Sequence, residues 1–251
     1  MLVTQLLNYH RALFQWHCRK FFRFRRHLSQ REKDYLERCF ALADSFHEVS
    51  ESGYEHFSYY SYSHRVQGEQ VNSSRLAYGS VLHPAAALEA ALPVITDRQL
   101  QLDAYFLESP QSKFYGLGWD VLEAQFKVYF RVQPVDQLPD QLSHLLRGYQ
   151  LQDHRDEGLV SFTYTHNQLS ESKVYLYPKN SLNLPQGAQG QASMVSDRRG
   201  LVKQYDLSQP EQWAQRLSPT GQRIVQLYLE LDEELDTIQW EDEQNYTLYF
   251  P

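Results

Sequence analysis

From about Tyr54 onward apolar and polar residues tend to alternate one by one. The strictest stretches share a spelling: Lys127-Val128-Tyr129-Phe130-Arg131, Lys173-Val174-Tyr175-Leu176-Tyr177 and, more faintly, Thr247-Leu248-Tyr249-Phe250. A strand sends alternate side chains to opposite faces. Val128, Phe130, Val174 and Leu176 therefore fall on apolar faces. Lys127, Tyr129, Arg131, Lys173, Tyr175 and Tyr177 fall on the opposite ones. The apolar face must pack on something, and the cationic, phenolic face must look into a cavity, a groove or water. Ammonium groups backed by tyrosine rings suit a polyanion such as diphosphate, with π-faces beside it to stabilise a cation.

The pattern ahead of Ser50 has helical period instead. It predicts two helices, roughly Leu2 to His27 and Ser29 to Val49, with Ser29 and Glu32 forming a capping-box signature for the second. Alternation then predicts strands over Tyr54–Val66 and Arg75–Leu82. Pro84 opens an Ala-rich helix to about Leu92, and Gln99–Leu107 reads as a further strand or an irregular extended segment. Phe114–Val121 with Gln125–Val132 make a hairpin. After a helix over Val135–Gly148, Leu159–Thr165 with Glu171–Pro178 make another. Asn180–Gln191, rich in Gly, Pro, Asn and Gln, reads as a loop or lid. Met194–Tyr205 adds a strand, Pro210–Arg216 and Pro219–Leu235 are helical, and Thr237–Glu241 with Tyr246–Phe250 form the last hairpin.

Helices set between antiparallel hairpins do not build a parallel sheet, which needs single strands joined by crossovers. The order predicts an α+β fold: an antiparallel β-barrel, closed or partly open, built from repeated helix-plus-hairpin units with the helices outside. Residues 1–52 are expected to form a helical segment packing on the barrel of residues 53–251, in one domain overall. Inward Lys and Tyr side chains make no sense as a dry core, because each unpaired buried ammonium costs several kcal/mol. A wet, anion-binding lumen does.

Composition narrows this further. A formal charge of −7 over 251 residues argues against a whole-surface nucleic-acid binder. The 18 tyrosines fit strands with one half-polar face. Cys18 and Cys39 are too few for a disulfide framework or a zinc cluster, so a cytoplasmic, reducing compartment is the simplest. No apolar run approaches membrane-spanning length. Between Met1 and Arg31 there is no acidic residue, while Arg11, Arg19, Lys20, Arg23, Arg25 and Arg26 interleave with Phe14, Trp16, Phe21, Phe22 and Phe24. Three readings of this segment stay open: a packing helix with a solvated basic side, peripheral contact with an anionic membrane or partner, or an Arg-rich transit peptide.

The repeated Lys-x-Tyr strands and the alternation of helices with hairpins resemble the aromatic prenyltransferases of the ABBA barrel type, nearest the dimethylallyl tryptophan synthase group. Phe126-Lys127-Val128-Tyr129-Phe130, preceded by Gly118-Trp119-Asp120, is similar to that family's first Lys-x-Tyr strand, and Lys173-Val174-Tyr175 to its second. Tyr54-Glu55-His56-Phe57-Ser58 and Arg75-Leu76-Ala77-Tyr78 take the place of its first hairpin with looser spelling. The resemblance implies a ten-stranded antiparallel barrel that moves a prenyl group, without metal or other cofactor, from an allylic diphosphate to an aromatic small molecule or peptide. It implies that Arg75, Lys127 and Lys173 bind the diphosphate, that Tyr129, Tyr175, Tyr177 and Tyr249 shield the allylic cation, and that Glu55 anchors the acceptor and takes its proton. Two departures stand out. Only four clear hairpins are visible, so the fifth must come from weaker segments such as Gln99–Leu107 and Met194–Tyr205. Glu171 stands two residues before the second Lys, where many members carry Arg.

The bland alternatives are specific. Lys127 and Lys173 suit a solvated sheet face, and the tyrosines suit half-buried sheet positions. Arg131, near its strand end, suits a surface ion pair, and His56 and His64 suit structural or exposed roles. Asp232-Glu233-Glu234-Leu235-Asp236 is spelled like the aspartate-rich motif of metal-dependent prenyl synthases. A magnesium site of that kind needs a second carboxylate motif, so this stretch reads as an acidic helix end. No phosphate-binding Gly loop, Cys/His metal spacing or nucleophile elbow is present. The alternative function is a non-catalytic barrel that binds an isoprenoid, a tetrapyrrole or another amphiphile, a reading favoured by Glu171.

Overall fold

The computed structural model describes residues 30–31, 58–80, 84–120, 125–180, 184–207, 209–229 and 234–250. The helices expected over Leu2–His27 and Ser29–Val49 lie outside these residues, apart from Gln30 and Arg31, as do Glu55, His56, Asp232 and Glu233.

Ten strands follow one another: β1 Ser58–Gln67, β2 Gln70–Ser80, β3 Ser112–Asp120, β4 Gln125–Val132, β5 His154–Thr165, β6 Gln168–Pro178, β7 Ala188–Ser196, β8 Gly200–Leu207, β9 Thr237–Asp242 and β10 Asn245–Phe250. Each pairs antiparallel with its sequence neighbours, and β1 also pairs with β10, Tyr62 opposite Phe250 and Gln67 opposite Asn245. The result is a ten-stranded antiparallel barrel. Local chemistry explains several of its corners. His166 and Asn167 both sit at positive φ between β5 and β6, the geometry that two-residue hairpins need to match strand twist.

The fifth hairpin is β7–β8, in the weakly patterned stretch Ala188–Leu207, so the expected single strand over Met194–Tyr205 is two. Gln99–Leu107 is not a strand. Asp103 caps a single helical turn, α2 (Ala104–Glu108), by accepting from Tyr105 N at 2.8 Å. Its Phe106 ring packs edge-on against Phe162, centroids 4.9 Å apart. Upstream, α1 (Pro84–Asp97) runs through Pro93 rather than ending at Leu92. Its buried stripe of Ala87, Ala90, Ala91, Val94 and Ile95 continues past the proline, whose ring is on the exposed side. The helix expected over Val135–Gly148 is broken into short turns, Val135–Gln137, Asp140–Ser143 and His144–Leu146. Pro139 accounts for the break, since the residue before a proline avoids helical geometry. The helix-plus-hairpin repeat is likewise incomplete, because no helix separates β6 from β7 among the described residues. The loop there ends at Ala188, earlier than the expected Gln191.

The core lies on the apolar face of the sheet. Val128, Phe130, Val174, Leu176 and Leu248 are fully buried, Phe250 almost so. α1 and α2 pack on β3. On α3, described over Pro219–Leu229, Tyr228 stacks on Phe250 at 3.7 Å and shares a 2.8 Å hydrogen bond with His64 Nε2. Burial pushes the His64 imidazole down to about 4, so it acts there as a neutral core group, as the structural reading expected. No helix among the described residues is long and apolar enough to cross a membrane.

Candidate functional site

Register decides what meets on the opposite, inward face. Across β4, β5 and β6, Lys127 lies opposite Thr163, and Thr163 opposite Glu171. Tyr129 lies opposite Ser161, and Ser161 opposite Lys173. Lys127 and Lys173 are thus two strands apart and offset by one same-face step. On the other side of Lys127, Gly118 of β3 is its partner, and Asp120 is opposite Arg75 of β2. A Cβ at Gly118 would stand 3.2 Å from both Arg75 Cδ and Tyr129 Cε2. The missing side chain is what lets the guanidinium cross β3 to the tyrosine ring.

Lys127 is 4 % exposed and has no hydrogen bond or ion pair among the described residues. Burial first, then Arg75 and Lys173, hold its ammonium well below the ordinary lysine range. The two lysines and Arg75 therefore feel one another inside the barrel. Burial also lowers Lys173, but Glu171 opposes this with an ion pair of 3.0 Å from Nζ to Oε2. Ser196 Oγ donates to Glu171 Oε1 at 2.7 Å. Burial works against ionisation of Glu171, yet Lys173 and Ser196 outweigh it and keep the carboxyl below its usual range.

Tyr129, Tyr175 and Tyr249 share the chamber with Arg75, and the electrostatics of each register that guanidinium. Burial pushes the Tyr129 phenol up to about 12 and raises Tyr175 and Tyr249 as well, so all three present neutral rings. Tyr177 is placed differently. It lies four residues beyond Lys173, about 13 Å along the strand. With Tyr115, Arg131, Arg155, Glu157, Gly158 and Leu159 it lines a cavity of about 320 Å³. Arg131 Nε pairs with Glu157 Oε1 at 3.1 Å, both side chains nearly half exposed, which is the expected surface ion pair.

Sequence reasoning missed the rest of the charged lining. Glu241 of β9 receives Arg65 of β1 in a bidentate pair at 2.9 and 3.0 Å, and Gln204 Nε2 at 2.8 Å. It also receives both terminal nitrogens of Arg199, from the β7–β8 turn. Against burial, these partners hold its carboxyl at about 2. Ser73 Oγ donates to Asp120 Oδ2 and accepts from Arg75 Nη2 at 3.0 Å, while Arg75 Nη2 stands 3.9 Å from Asp120. The available signal was parity. Arg65 and Ser73 share alternation with Arg75, and Glu241 shares a face with Gln239 and, through the hairpin, with Thr247 and Tyr249.

On this side of the lumen Arg65, Arg75, Lys127 and Lys173 stand against Asp120, Glu171 and Glu241, with Arg199 reaching Glu241 from the exposed β7–β8 turn, so cations are in excess there. Arg75 Nε and Thr163 Oγ1 are buried without a hydrogen-bond partner among the described residues. An unmade buried hydrogen bond costs about 1–3 kcal/mol, so an acceptor supplied from outside is favoured there. Chemically, the chamber can hold a compact polyanion at its cationic wall with π-faces beside it. No group of three His, Cys, Asp or Glu side chains able to hold a metal ion comes together among the described residues. No protein-family model matches the chain, and it has no match among the curated proteins.

Proposed function

We propose that this barrel is a metal-independent aromatic prenyltransferase of the ABBA type, in which the helical segments jacket the strands and the lumen is the reaction chamber. The observation that carries the proposal is the meeting of Lys127, Lys173 and Arg75, from three strands, beside Tyr129, Tyr175 and Tyr249. In this reading the three cations take the oxygens of an allylic diphosphate. The allylic C–O bond breaks and its electron pair leaves with the diphosphate, whose growing charge they stabilise. The tyrosine faces then hold the allylic cation and keep water away. An electron-rich ring of a small molecule or peptide attacks the cation, forming the new bond, and a proton is lost from the acceptor. Glu55 remains the proposed anchor of that acceptor. Tyr177, which lines the neighbouring cavity, would shield the path rather than the cation itself. The proposed setting is the cytoplasm, with peripheral membrane contact through the basic N-terminal segment and no nucleic-acid partner.

A carrier function is the second reading, favoured by the Glu171–Lys173 pair, which spends one of the cations. The protein incubated with allylic diphosphates of increasing length and a panel of indoles, phenols and aromatic peptides separates the two. Transfer predicts pyrophosphate release and a prenyl mass gain on an acceptor, both lost in Lys173→Ala and both insensitive to a metal chelator. Tight donor binding without pyrophosphate release overturns transfer in favour of the carrier.

A further inference from the structure

One inward carboxylate is built unlike the others. Asp120, Glu171 and Glu241 each face a cation, whereas Asp206 of β8 has no ion-pair partner among the described residues. Its neighbours across the register are Gly190 of β7 and Gln239 of β9. A Cβ at Gly190 would come 3.2 Å from Asp206 Oδ2, so the neighbouring strand is bare where the carboxylate needs room.

Gln239 is fixed from its far side. Tyr249 Oη donates to Gln239 Oε1 at 3.2 Å, and Gln239 stands opposite Asp206 across the β8–β9 ladder, where its amide favours the ionised carboxylate. The groups facing Asp206 are therefore Tyr177 from β6, Gly190 from β7, Gln239 from β9 and Tyr249 from β10, with no cation among them. Burial raises its carboxyl, with the Gln239 hydrogen bond opposing. Tyr249 joins this region to the donor's: it senses Tyr175, Arg75 and Tyr129 as well as Asp206. The chamber is thus polarised, with surplus cations on one side, tyrosine rings between, and a carboxylate without a counter-ion on the other.

We propose that Asp206 is the base that takes the acceptor's proton, with Gln239 as its positioning residue. The inference rests on the prenyl-transfer reading and divides two tasks expected of Glu55. Anchoring stays with Glu55, and proton removal passes to Asp206. The balance is complete. The allylic C–O bond breaks with its electrons on diphosphate, and the acceptor's ring carbon or heteroatom bonds the allylic carbon. The proton displaced from that atom moves to an Asp206 oxygen and thence to water. A carboxylate without a counter-ion suits an acceptor that presents an O–H, an N–H or an acidified ring C–H, which points to phenols and indoles. A base works best with its pKa near the operating pH, and burial without a cation moves a carboxyl in that direction.

The test compares the intact wild-type chain with Asp206→Asn, Asp206→Glu and Gln239→Leu. Pyrophosphate affinity, solvolysis of the donor to the allylic alcohol, and the pH profile of transfer are measured for each. Asp206→Asn is expected to lower kcat about 10²–10⁴-fold and to abolish the acid limb. It keeps pyrophosphate affinity and solvolysis, because ionisation of the donor needs no base. Asp206→Glu restores part of the rate. Gln239→Leu removes a donor that favours the carboxylate, so its acid limb moves to higher pH. Transfer by Asp206→Asn at the wild-type rate with the acid limb in place overturns the assignment. Should that variant fail to bind pyrophosphate, an unmoved limb in Gln239→Leu overturns it instead. Absence of pyrophosphate release from the wild type with every acceptor removes the transfer reading itself, and this assignment with it.

Discussion

Replacing Lys127 by methionine should make the empty protein more stable and the loaded protein worse at its task. In the empty chamber Lys127 is buried, has no ion-pair partner among the described residues, and lies in the repulsive fields of Arg75 and Lys173. Each pKa unit by which those factors depress the ammonium is about 1.4 kcal/mol of stability lost while the unfolded chain stays protonated. The sign follows directly. The folded pKa lies below the unfolded one, so folding releases a proton between the two values, and the penalty shrinks as pH rises toward the unfolded value. A methionine of similar reach has no charge to desolvate, and such replacements gain about 1–4 kcal/mol. Urea unfolding of the apo protein near neutral pH should show that gain in the midpoint with an unchanged slope. Pyrophosphate reverses the balance, because it supplies the missing counter-charge and draws a proton onto Lys127. Titration calorimetry in buffers of differing ionisation enthalpy should therefore show proton uptake by the wild type and none by Lys127→Met. Loss of that electrostatic stabilisation should lower kcat about 10²–10³-fold. A Lys127→Met protein that is less stable than wild type and binds pyrophosphate with undiminished affinity would refute the account of this residue.

Glu171→Gln should free Lys173 from its 3.0 Å partner and tighten pyrophosphate binding about tenfold, a gain of about 1.4 kcal/mol on the calorimetric scale; unchanged or weaker binding contradicts it. Glu241→Gln should cost about 1–3 kcal/mol in urea unfolding, because the part-buried Arg65 and the exposed Arg199 lose the buried carboxylate they share. Since the folded carboxyl is held near 2, its contribution is full above the unfolded value near 4.5 and is lost as pH falls through 2. The wild type should therefore lose stability across that window more steeply than Glu241→Gln, and equal slopes would contradict the clamp.

What the chain revealed at once was whatever depends on period two. Alternation in Lys127–Arg131 and Lys173–Tyr177 assigned each side chain to a face without reference to distant residues, and both lysines do lie on the enclosed one. Arg75 came only from the resemblance, and the structure places it on the same enclosed face. Hairpin β7–β8 was not legible, because Ala188–Ser196 mixes small and polar residues on both faces and leaves little hydrophobic contrast. The Val135–Gly148 helix failed on Pro139, and the end assumed for α1 failed because Val94 and Ile95 hold the helix down beyond Pro93. Glu241, Arg65 and Arg199 belong to segments far apart in sequence. A lone charge on a strand looks the same whether solvent or a salt bridge receives it. Its partner exists only once strand neighbours are known, which is why the clamp and the cation excess came from the structure. Glu55 lies outside the described residues and keeps only the anchoring role that the resemblance implies.

The β1–β10 ladder has a consequence for how the protein comes into being. Hairpins such as β5–β6 are local and can form as soon as both arms exist, but the seam joins Tyr62 to Phe250, one of the most distant pairings in the chain. Contacts of that separation form late, since a long loop must be closed before they contribute. Until the seam zips, the lysines remain hydrated and keep ordinary affinities for protons. Their strained chemistry is thus a property of the finished ring, and no fragment lacking either seam strand should inherit it.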